Sequence, residues 1–331
     1  MKVYDLLIIG GGPIGLCCAI EAQKAGLDYV LVEKGVLVNS LYHFPANMTF
    51  FSTSKKLEIG DVPFISHADK PTRTESLEYF RRVAESWQLH LKLYEEVKSM
   101  KAEDSLYRID TSKGSYQSRT VIVATGFYDT PRLLGIPGEE LPKVKHYYDE
   151  VHPYVNQKVV IVGAGNSGCD VALETFHKGA DVTMVVRKPH IKPTVKYWIK
   201  PNIENRIKEG SVKAYFSSRL LEIRPLSVLI DTPEGQVELE NDFVLAMTGY
   251  QPNYALLDRL GLTYTEDEAR SPVQDPETLE SNLPGVYIAG VAAAGMHTSK
   301  LFIENTRVHA RTIIRQILSG RRMKTLEDVS N

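Results

Sequence analysis

The hydrophobic pattern of the N-terminal part begins with a short apolar run that ends in glycines. Residues 6–9 are all apolar, which is typical of a strand buried on both faces. An apolar helix pattern follows the glycine-rich residues 10–15, and residues 29–32 form a second buried strand pattern. A strand, a glycine turn, a helix and a strand in this order predict a βαβ unit.

The same pattern recurs in the second half of the chain. An apolar run over residues 158–162 precedes glycines at 163, 165 and 168, a helix pattern over 170–177 and a strand pattern over 181–186. Further strand patterns, the last in each half ending in Thr-Gly, cover residues 106–109, 116–124, 228–230, 237–239 and 243–247. We interpret the two halves as an internal duplication of a dinucleotide-binding unit.

Five other stretches complete the pattern. Residues 74–88 predict an amphipathic helix, and residues 90–97 predict a strand. Residues 285–291 predict a short buried strand, followed by a long helix over 298–318 whose N-terminus points at a cofactor. The aromatic and proline-containing residues 39–52 predict a loop that packs on a flavin ring.

The first glycine loop has the chemistry of a dinucleotide site. Gly10 allows a tight turn out of the strand, Gly12 lets a pyrophosphate approach, and Gly15 lets the helix pack close to the sheet. Glu33 follows about 20 residues later, where a carboxylate binds ribose hydroxyl groups. This acid would repel a 2′-phosphate, so the site suits FAD or NAD.

The second glycine loop has a cation where the first has an acid. Arg187, followed by Lys188, stands at nearly the same offset from Gly163 as Glu33 does from Gly10. A guanidinium at this position suits the 2′-phosphate of NADPH. The two sites therefore predict two different cofactors.

Composition and charge narrow the class of protein. The chain has 331 residues, 43% hydrophobic and 24% charged, with a net charge of −2. These values argue against nucleic acid or membrane binding, and the three cysteines without C-x-x-C spacing argue against a disulfide framework or a metal site. The first strand pattern leaves no room for a signal peptide, so we expect a two-domain cytoplasmic enzyme.

The order of these motifs resembles the thioredoxin-reductase type of flavoprotein over nearly the whole chain. The resemblance implies a three-layer α/β fold with two Rossmann-like domains: a split FAD domain, residues 1–128 and 250–331, and an inserted NADPH domain, residues 129–249. The FAD contacts that it implies are Gly10, Gly12, Pro13, Ile14, Gly15, Glu33, Lys34, Ser40, Tyr42, Thr49, Val97, Thr125, Gly126, Gly290, Val291 and Lys300. The implied NADPH contacts are Gly163, Gly165, Asn166, Ser167, Gly168, Arg187, Lys188 and Gly249.

Five separated blocks are similar to the bacillithiol disulfide reductases. They cover residues 48–61, 146–148, 196–199, 201–210 and 302–305. This family implies an FAD- and NADPH-dependent reductase of a low-molecular-weight thiol disulfide, with a small redox protein as an alternative partner, and we expect a homo-oligomer. It also accounts for Gly290-Val291, where thioredoxin reductases have Gly-Asp.

One departure from this family bears on mechanism. Its members usually carry a cysteine between the proline and the last glycine of the first loop, and this chain has Ile14 there. Cys17 and Cys18 are expected to pack against the sheet, and Cys169 belongs to the second glycine site. We therefore predict that no cysteine of the enzyme takes part.

Two other functions stay open on the sequence alone. Several motifs also resemble flavin monooxygenases, but their F-x-G-x-x-x-H motif is missing around Leu141–His146. A ferredoxin or flavodoxin reductase that uses NADPH is the other alternative, because that class also lacks a dithiol.

Overall fold

The chain folds into two units, and each unit has its own parallel sheet. A computed structural model describes residues 2–330, with side chains described for residues 2–320. Unit 1 comprises Met1–His43, Met48–Thr130 and Gln251–Asn331, and unit 2 comprises Phe44–Asn47 and Pro131–Tyr250. Most of unit 2 is therefore one continuous insertion in the chain of unit 1.

Both units contain strands and helices. The strands are β1 Val3–Ile9, β2 Tyr29–Val32, β3 Leu91–Lys92, β4 Val97–Glu103, β5 Leu106–Thr111, β6 Ser115–Val123, β7 Thr130–Pro131, β8 Val144–Lys145, β9 Lys158–Val162, β10 Asp181–Val186, β11 Lys213–Phe216, β12 Arg219–Ile223, β13 Ser227–Thr232, β14 Gly235–Glu240, β15 Phe243–Ala246, β16 Tyr250–Gln251 and β17 Val286–Ile288. The α-helices are α1 Pro13–Lys24, α2 Asn39–Tyr42, α3 Ser54–Leu57, α4 Arg73–Ser86, α5 Asn166–His177, α6 Lys200–Lys208, α7 Tyr254–Arg259, α8 Ile303–Thr306 and α9 Val308–Ser330. Short 3-10 helices cover His152–Tyr154 and Gly290–Ala294.

The sheet of unit 1 brings four strand ends to one edge. Its order is β3-β2-β1-β6-β5-β4, and β17 pairs with β6. In the parallel part, Ile9 lies opposite Val32 and Val123, and Val123 lies opposite Ile288. The turns that follow β1, β2, β6 and β17 therefore share the carboxyl edge, where open α/β sheets bind ligands.

Apolar burial explains why these residues form the central strands. All four residues of β2 and the last four of β1 are buried, as expected for parallel strands covered on both faces. Helix α1 packs on this sheet through buried residues such as Leu16 and Ile20.

Unit 2 repeats this arrangement. Its parallel sheet has the order β11-β10-β9-β15-β8, and Val162 lies opposite Val185 and Ala246. The antiparallel sheet β12-β13-β14 contributes buried residues such as Ile230 to a core shared with β9, β10 and β15. The predicted α/β class with two Rossmann-like halves is confirmed.

Three predicted elements differ from the structure. Residues 90–97 are not one strand, because Tyr94 adopts a left-handed φ of 55° and separates β3 from β4. The helix predicted over 298–318 is two helices, α8 and α9, separated at Arg307. The first begins only at Ile303, because Phe302 is extended and its N–H donates to Oδ1 of Asn305 at 2.7 Å. The loop predicted over 39–52 contains the short helix α2. In the second half, β12 also pairs with β13, next to the strands predicted over 228–230 and 237–239.

Candidate functional site

The first glycine loop has the backbone shape that a bound phosphate needs. Gly10 has φ +108°, and a Cβ there would lie 2.6 Å from the carbonyl oxygen of Ala124. A Cβ at Gly15 would lie 1.8 Å from the carbonyl oxygen of Gly10, so only glycine lets α1 start this close to β1. A Cβ at Gly12 would meet nothing within 4 Å. The open space at Gly12, at the N-terminus of α1, fits a pyrophosphate.

Glu33 is held beside this loop by two backbone hydrogen bonds. Its Oε2 accepts from the N–H of Gly11 at 2.7 Å, and its Oε1 accepts from the N–H of Gly35 at 2.9 Å. The residue is 6% exposed, and burial raises the pKa of the carboxyl group. A carboxylate accepts about four hydrogen bonds, so Glu33 keeps acceptor capacity for the hydroxyl groups of a ribose.

The turn after β6 supplies an unpaired polar atom at the same sheet edge. Oγ1 of Thr125 is buried and has no hydrogen-bond partner among the described residues. The next residue, Gly126, has φ +70°, and a Cβ there would lie 4.0 Å from Cγ2 of Val291. Buried hydroxyl groups are nearly always paired, so Thr125 is expected to bond to a ligand.

Ile14 lies where the start of α1 meets the turn after β17. Its side chain is 7% exposed, and a Cβ at Gly290 would lie 3.2 Å from its Cγ1. The N–H of Gly290 donates to Nδ1 of His309 at 3.2 Å. Sequence reasoning missed His309, because a lone histidine on a helix carries no motif.

Helix α2 begins beside the glycine loop. The N–H of Val38 donates to the carbonyl oxygen of Gly11 at 3.1 Å, and Val38 has a left-handed φ of 49°. The predicted contacts Ser40 and Tyr42 lie in this helix, with Tyr42 47% exposed. A left-handed valine is rare, so no sequence signal indicated this contact.

The remaining predicted FAD contacts make other interactions within unit 1. Lys34 pairs with Asp129, with Nζ and Oδ2 2.8 Å apart. Thr49 forms a β-bridge with the residue that caps α4, Val97 is the buried first residue of β4, and Lys300 precedes α8. These contacts do not place the four residues against the Gly10 loop, and their role stays a prediction.

The second glycine loop repeats the geometry of the first. Gly163 has φ +112°, and a Cβ there would lie 2.6 Å from the carbonyl oxygen of Met247. A Cβ at Gly168 would lie 2.3 Å from the carbonyl oxygen of Gly163, whereas a Cβ at Gly165 would meet nothing within 4 Å. The N-terminus of α5 therefore also has open space for a pyrophosphate.

The chain after β10 crosses the start of α5 and orients Asn166. The N–H of Lys196 donates to Oδ1 of Asn166 at 2.9 Å, so the amide Nδ2 remains the donor that a phosphate can use. Nζ of Lys196 also lies 2.9 Å from Oδ2 of Asp170. Ser167 is exposed in the first turn of α5. Lys196 is a second residue that sequence reasoning did not assign to the site.

Arg187 and Lys188 directly follow β10, at the carboxyl edge of the unit 2 sheet. Both are exposed, and Arg187 makes no ion pair with any side chain in the described part of the protein. Gly249, with φ +92°, follows β15 at the same edge and accepts from the N–H of Arg132 at 2.9 Å. Two cations and the open glycine loop thus share one edge of the sheet.

The three cysteines are buried and unpaired. Burial raises the pKa of Cys17 and of Cys169 to about 12, and it raises the pKa of Cys18 well above its usual value. The thiolate is the reactive form of cysteine, and burial disfavours it. None of these thiols is therefore poised to attack a disulfide.

The described residues, 2–330, contain neither a metal cluster nor a membrane-spanning helix. No cluster of three or more histidine, cysteine, aspartate or glutamate side chains in this range is arranged to hold a metal ion. Within the same range, no helix has the length and apolar character of a membrane span.

Known proteins are similar to this chain over nearly its full length. The sequence pattern of the pyridine nucleotide-disulphide oxidoreductases matches residues 7–290. Bacilliredoxin reductase Bdr of Bacillus subtilis (strain 168) is 42% identical over 313 residues, which are 94% of this chain and 96% of the relative. The structure of bacillithiol disulfide reductase Bdr (YpdA) from Staphylococcus aureus is 39% identical with a TM-score of 0.94, over 97% of this chain and 99% of that chain. Thioredoxin reductase of T. acidophilum, 19% identical with a TM-score of 0.75 over 97% of this chain and 99% of that chain, shares the fold.

These similarities confirm the resemblance to the bacillithiol disulfide reductases and the thioredoxin-reductase-like fold. They imply that the chain is an oxidoreductase that uses FAD and NADPH. The chain belongs to the pyridine nucleotide-disulphide oxidoreductase family.

Proposed function

We propose that this chain is an NADPH-dependent flavoprotein that reduces a low-molecular-weight thiol disulfide, of the bacillithiol disulfide type, without a thiol of its own. The main observation behind the proposal is that the two open glycine loops have side chains of opposite charge near them. The first loop has the buried acid Glu33 beside it, and the second shares its sheet edge with the exposed cation Arg187. The name of the Staphylococcus aureus protein, bacillithiol disulfide reductase, supports this choice of acceptor, whereas the name of the Bacillus subtilis protein, bacilliredoxin reductase, supports a small redox protein as the alternative.

We propose that unit 1 binds FAD. The pyrophosphate would lie at Gly12, the ribose of the adenosine at Glu33, and the rest of the cofactor along the turns at Thr125 and Gly290. Three observations support this placement: the free space at Gly12, the spare acceptor capacity of Glu33 and the unpaired hydroxyl of Thr125. The corresponding FAD domain comprises residues 1–128 and 250–331.

We propose that residues 129–249 bind NADPH. The pyrophosphate would lie at Gly165, within reach of the amide of Asn166, and the 2′-phosphate would lie at Arg187 and Lys188. A guanidinium donates two parallel, charge-assisted hydrogen bonds to a phosphate, and a bare ribose has no negative charge to accept them. This difference would make NADPH the preferred nucleotide.

The protein binds and orients the reactants, and the redox chemistry belongs to the cofactor. When bound, FAD supplies the redox chemistry, taking a hydride from NADPH and passing two electrons to the acceptor. For a disulfide acceptor the balance is one NADPH and one proton consumed for each disulfide, with NADP⁺ and two thiols produced. Ile14 covers Gly290 with an apolar side chain, so this chain offers no sulfur there to form a mixed disulfide. The acceptor would therefore take its electrons from the cofactor directly.

The apolar side chain of Ile14 also favours a second candidate function. An electron-transfer protein such as ferredoxin or flavodoxin needs no thiol on the reductase, and Ile14 fits that chemistry equally well. A small redox protein is therefore the alternative partner.

Parallel acceptor assays with the purified protein test the proposal. NADPH oxidation would be measured with bacillithiol disulfide, thioredoxin, ferredoxin and oxygen at matched concentrations. The proposal predicts the fastest turnover with bacillithiol disulfide. Faster turnover with ferredoxin would favour the second candidate, and oxygen as the best acceptor would overturn both.

A cytoplasmic location and a homo-oligomeric state are part of the same proposal. The three unpaired cysteines suit a reducing compartment. Light scattering of the purified holoprotein measures the oligomeric state, and a monomer at micromolar concentration would contradict it.

A further inference from the structure

His309 bonds to the backbone of the turn that follows β17. It is the second residue of α9, and its Nδ1 accepts from the N–H of Gly290 at 3.2 Å. A ring nitrogen that accepts carries no proton, so the neutral imidazole has its proton on Nε2. The bond therefore selects one tautomer of His309.

The side chain of Ile14 also limits the space around Gly290. Gly290 has φ +79°, and the position of a Cβ there is 3.2 Å from Cγ1 of Ile14. Its neighbour Val291 approaches Gly126, in the turn that also holds the unpaired hydroxyl of Thr125. A shift of Gly290 would thus disturb the start of α1 and the turn after β6 together.

We propose that His309 is a positioning residue of the FAD site, which acts through Gly290 and fixes the Gly290–Val291 turn in the shape that receives the cofactor. This inference rests on the proposed placement of FAD in unit 1. The bond from Gly290 to His309 also holds the turn through a side chain, which Val291 cannot do because it has no polar group. The histidine does not need to touch the cofactor for this role.

The hydrogen bond exists only while His309 is neutral. A protonated ring has N–H groups on both nitrogens, so Nδ1–H would face the N–H of Gly290. Burial lowers the pKa of His309 below its usual 6.5. The folded protein thus favours the neutral ring, and the contribution of the bond is full above about pH 6.5 and is lost as the pH falls through the lower folded-state pKa.

Titratable side chains are present on α1, on α8 and in the turns of α9 that adjoin His309. Glu21 on α1 lies 3.4 Å from Lys24 and 3.5 Å from Arg311, and Nη1 of Arg307 donates to the carbonyl oxygen of Glu58 at 2.7 Å. The groups on α1, on α8 and on the adjoining turns of α9 are Cys17, Cys18, Glu21, Lys24, Glu304, Arg307 and Arg311. Burial, and not any of these charges, causes the lowered pKa.

A matched pair of variants tests the proposal. His309→Asn keeps an acceptor, Oδ1, the same number of bonds from the backbone as Nδ1, and it does not titrate. His309→Gln instead keeps a polar group only at the position of Nε2. The FAD dissociation constant of wild type and both variants would be measured by fluorescence titration of apoprotein between pH 5 and pH 8.

The expected results separate positioning from a merely structural role. Wild type should bind FAD more weakly as the pH falls through the folded-state pKa of His309, which burial places below 6.5, and His309→Asn should bind with near wild-type affinity at pH 8 and show no such fall. His309→Gln should bind about tenfold more weakly than wild type at pH 8 and show no pH dependence of its own, because the N–H of Gly290 has lost its acceptor. If His309→Gln fails to fold, the contrast in pH dependence between wild type and His309→Asn still tests whether His309 positions the turn.

Two outcomes would overturn the inference. A wild-type profile that stays flat through the folded-state pKa of His309 would show that protonation of His309 does not act on the site. Wild-type affinity in a folded His309→Gln would show that the bond to Gly290 is dispensable. Either outcome leaves the proposed function standing, whereas a wild-type protein that takes up no FAD at any pH would refute both.

Discussion

Replacing Gly12 with alanine is expected to weaken FAD binding without destabilising the apoprotein. Gly12 has φ −74° and ψ 178°, an extended conformation that any residue adopts, and a Cβ there meets no protein atom within 4 Å. Alanine also lowers the entropy of the unfolded chain. The free energy of unfolding of the apoprotein should therefore stay the same or rise by about 0.4–1 kcal/mol.

The loss of FAD affinity follows from the size of the methyl group. A phosphate oxygen that accepts from a backbone N–H lies about 2.9 Å from the nitrogen. The new Cβ at position 12 would occupy the space through which that oxygen approaches, so the pyrophosphate must move away. Each hydrogen bond to a charged phosphate that is lost costs about 1.5–3 kcal/mol of binding free energy. This cost raises the dissociation constant about 10- to 100-fold.

Two matched variants control this experiment. Gly15→Ala would place a Cβ 1.8 Å from the carbonyl oxygen of Gly10, so it should destabilise the apoprotein itself. Gly165→Ala, at φ −86° and ψ −171° with no atom within 4 Å, should weaken NADPH binding and leave FAD binding unchanged. The assays are thermal unfolding of apoprotein and fluorescence titration with FAD. Wild-type FAD affinity in Gly12→Ala would refute the placement of the pyrophosphate.

Three further predictions concern the nucleotide and the thiols. Arg187→Glu should reverse the preference for NADPH over NADH by lowering NADPH affinity about 10- to 100-fold, and equal use of both nucleotides by wild type would refute the assignment. Ile14→Cys should raise disulfide reductase activity if the site retains the geometry of the family, and unchanged activity would show that more than the sulfur is missing. Native protein should resist alkylation by iodoacetamide at pH 7–8, because burial raises the pKa of Cys17, Cys18 and Cys169. Rapid labelling of any one of them, detected by mass spectrometry, would contradict its inert role.

The sequence predicted the features that depend on local patterns. The glycine loops, with β1, β9 and β10, follow from apolar runs and from glycines that only a close backbone approach requires. Their repetition in two halves allowed both parallel sheets to be predicted. Glu33 and Arg187 were found because a fixed offset from the glycines places them at the edge of the sheet.

Features that depend on tertiary contacts were not predictable in this way. The helical pattern of residues 298–318 does not reveal that Asn305 caps the N–H of Phe302 and delays the helix. The partners of His309 and Lys196 lie far away in the chain and follow no spacing rule. The left-handed Val38 is stabilised by its surroundings against its own preference.

The claim that no enzyme thiol takes part has one direct test. Cys17, Cys18 and Cys169 would be replaced by alanine, singly and together, and steady-state NADPH turnover with bacillithiol disulfide would be measured in FAD-loaded protein. We expect the triple variant to keep a kcat within a few-fold of wild type. A Cys18→Ala variant that still transfers hydride from NADPH to FAD but no longer reduces the disulfide would contradict the claim.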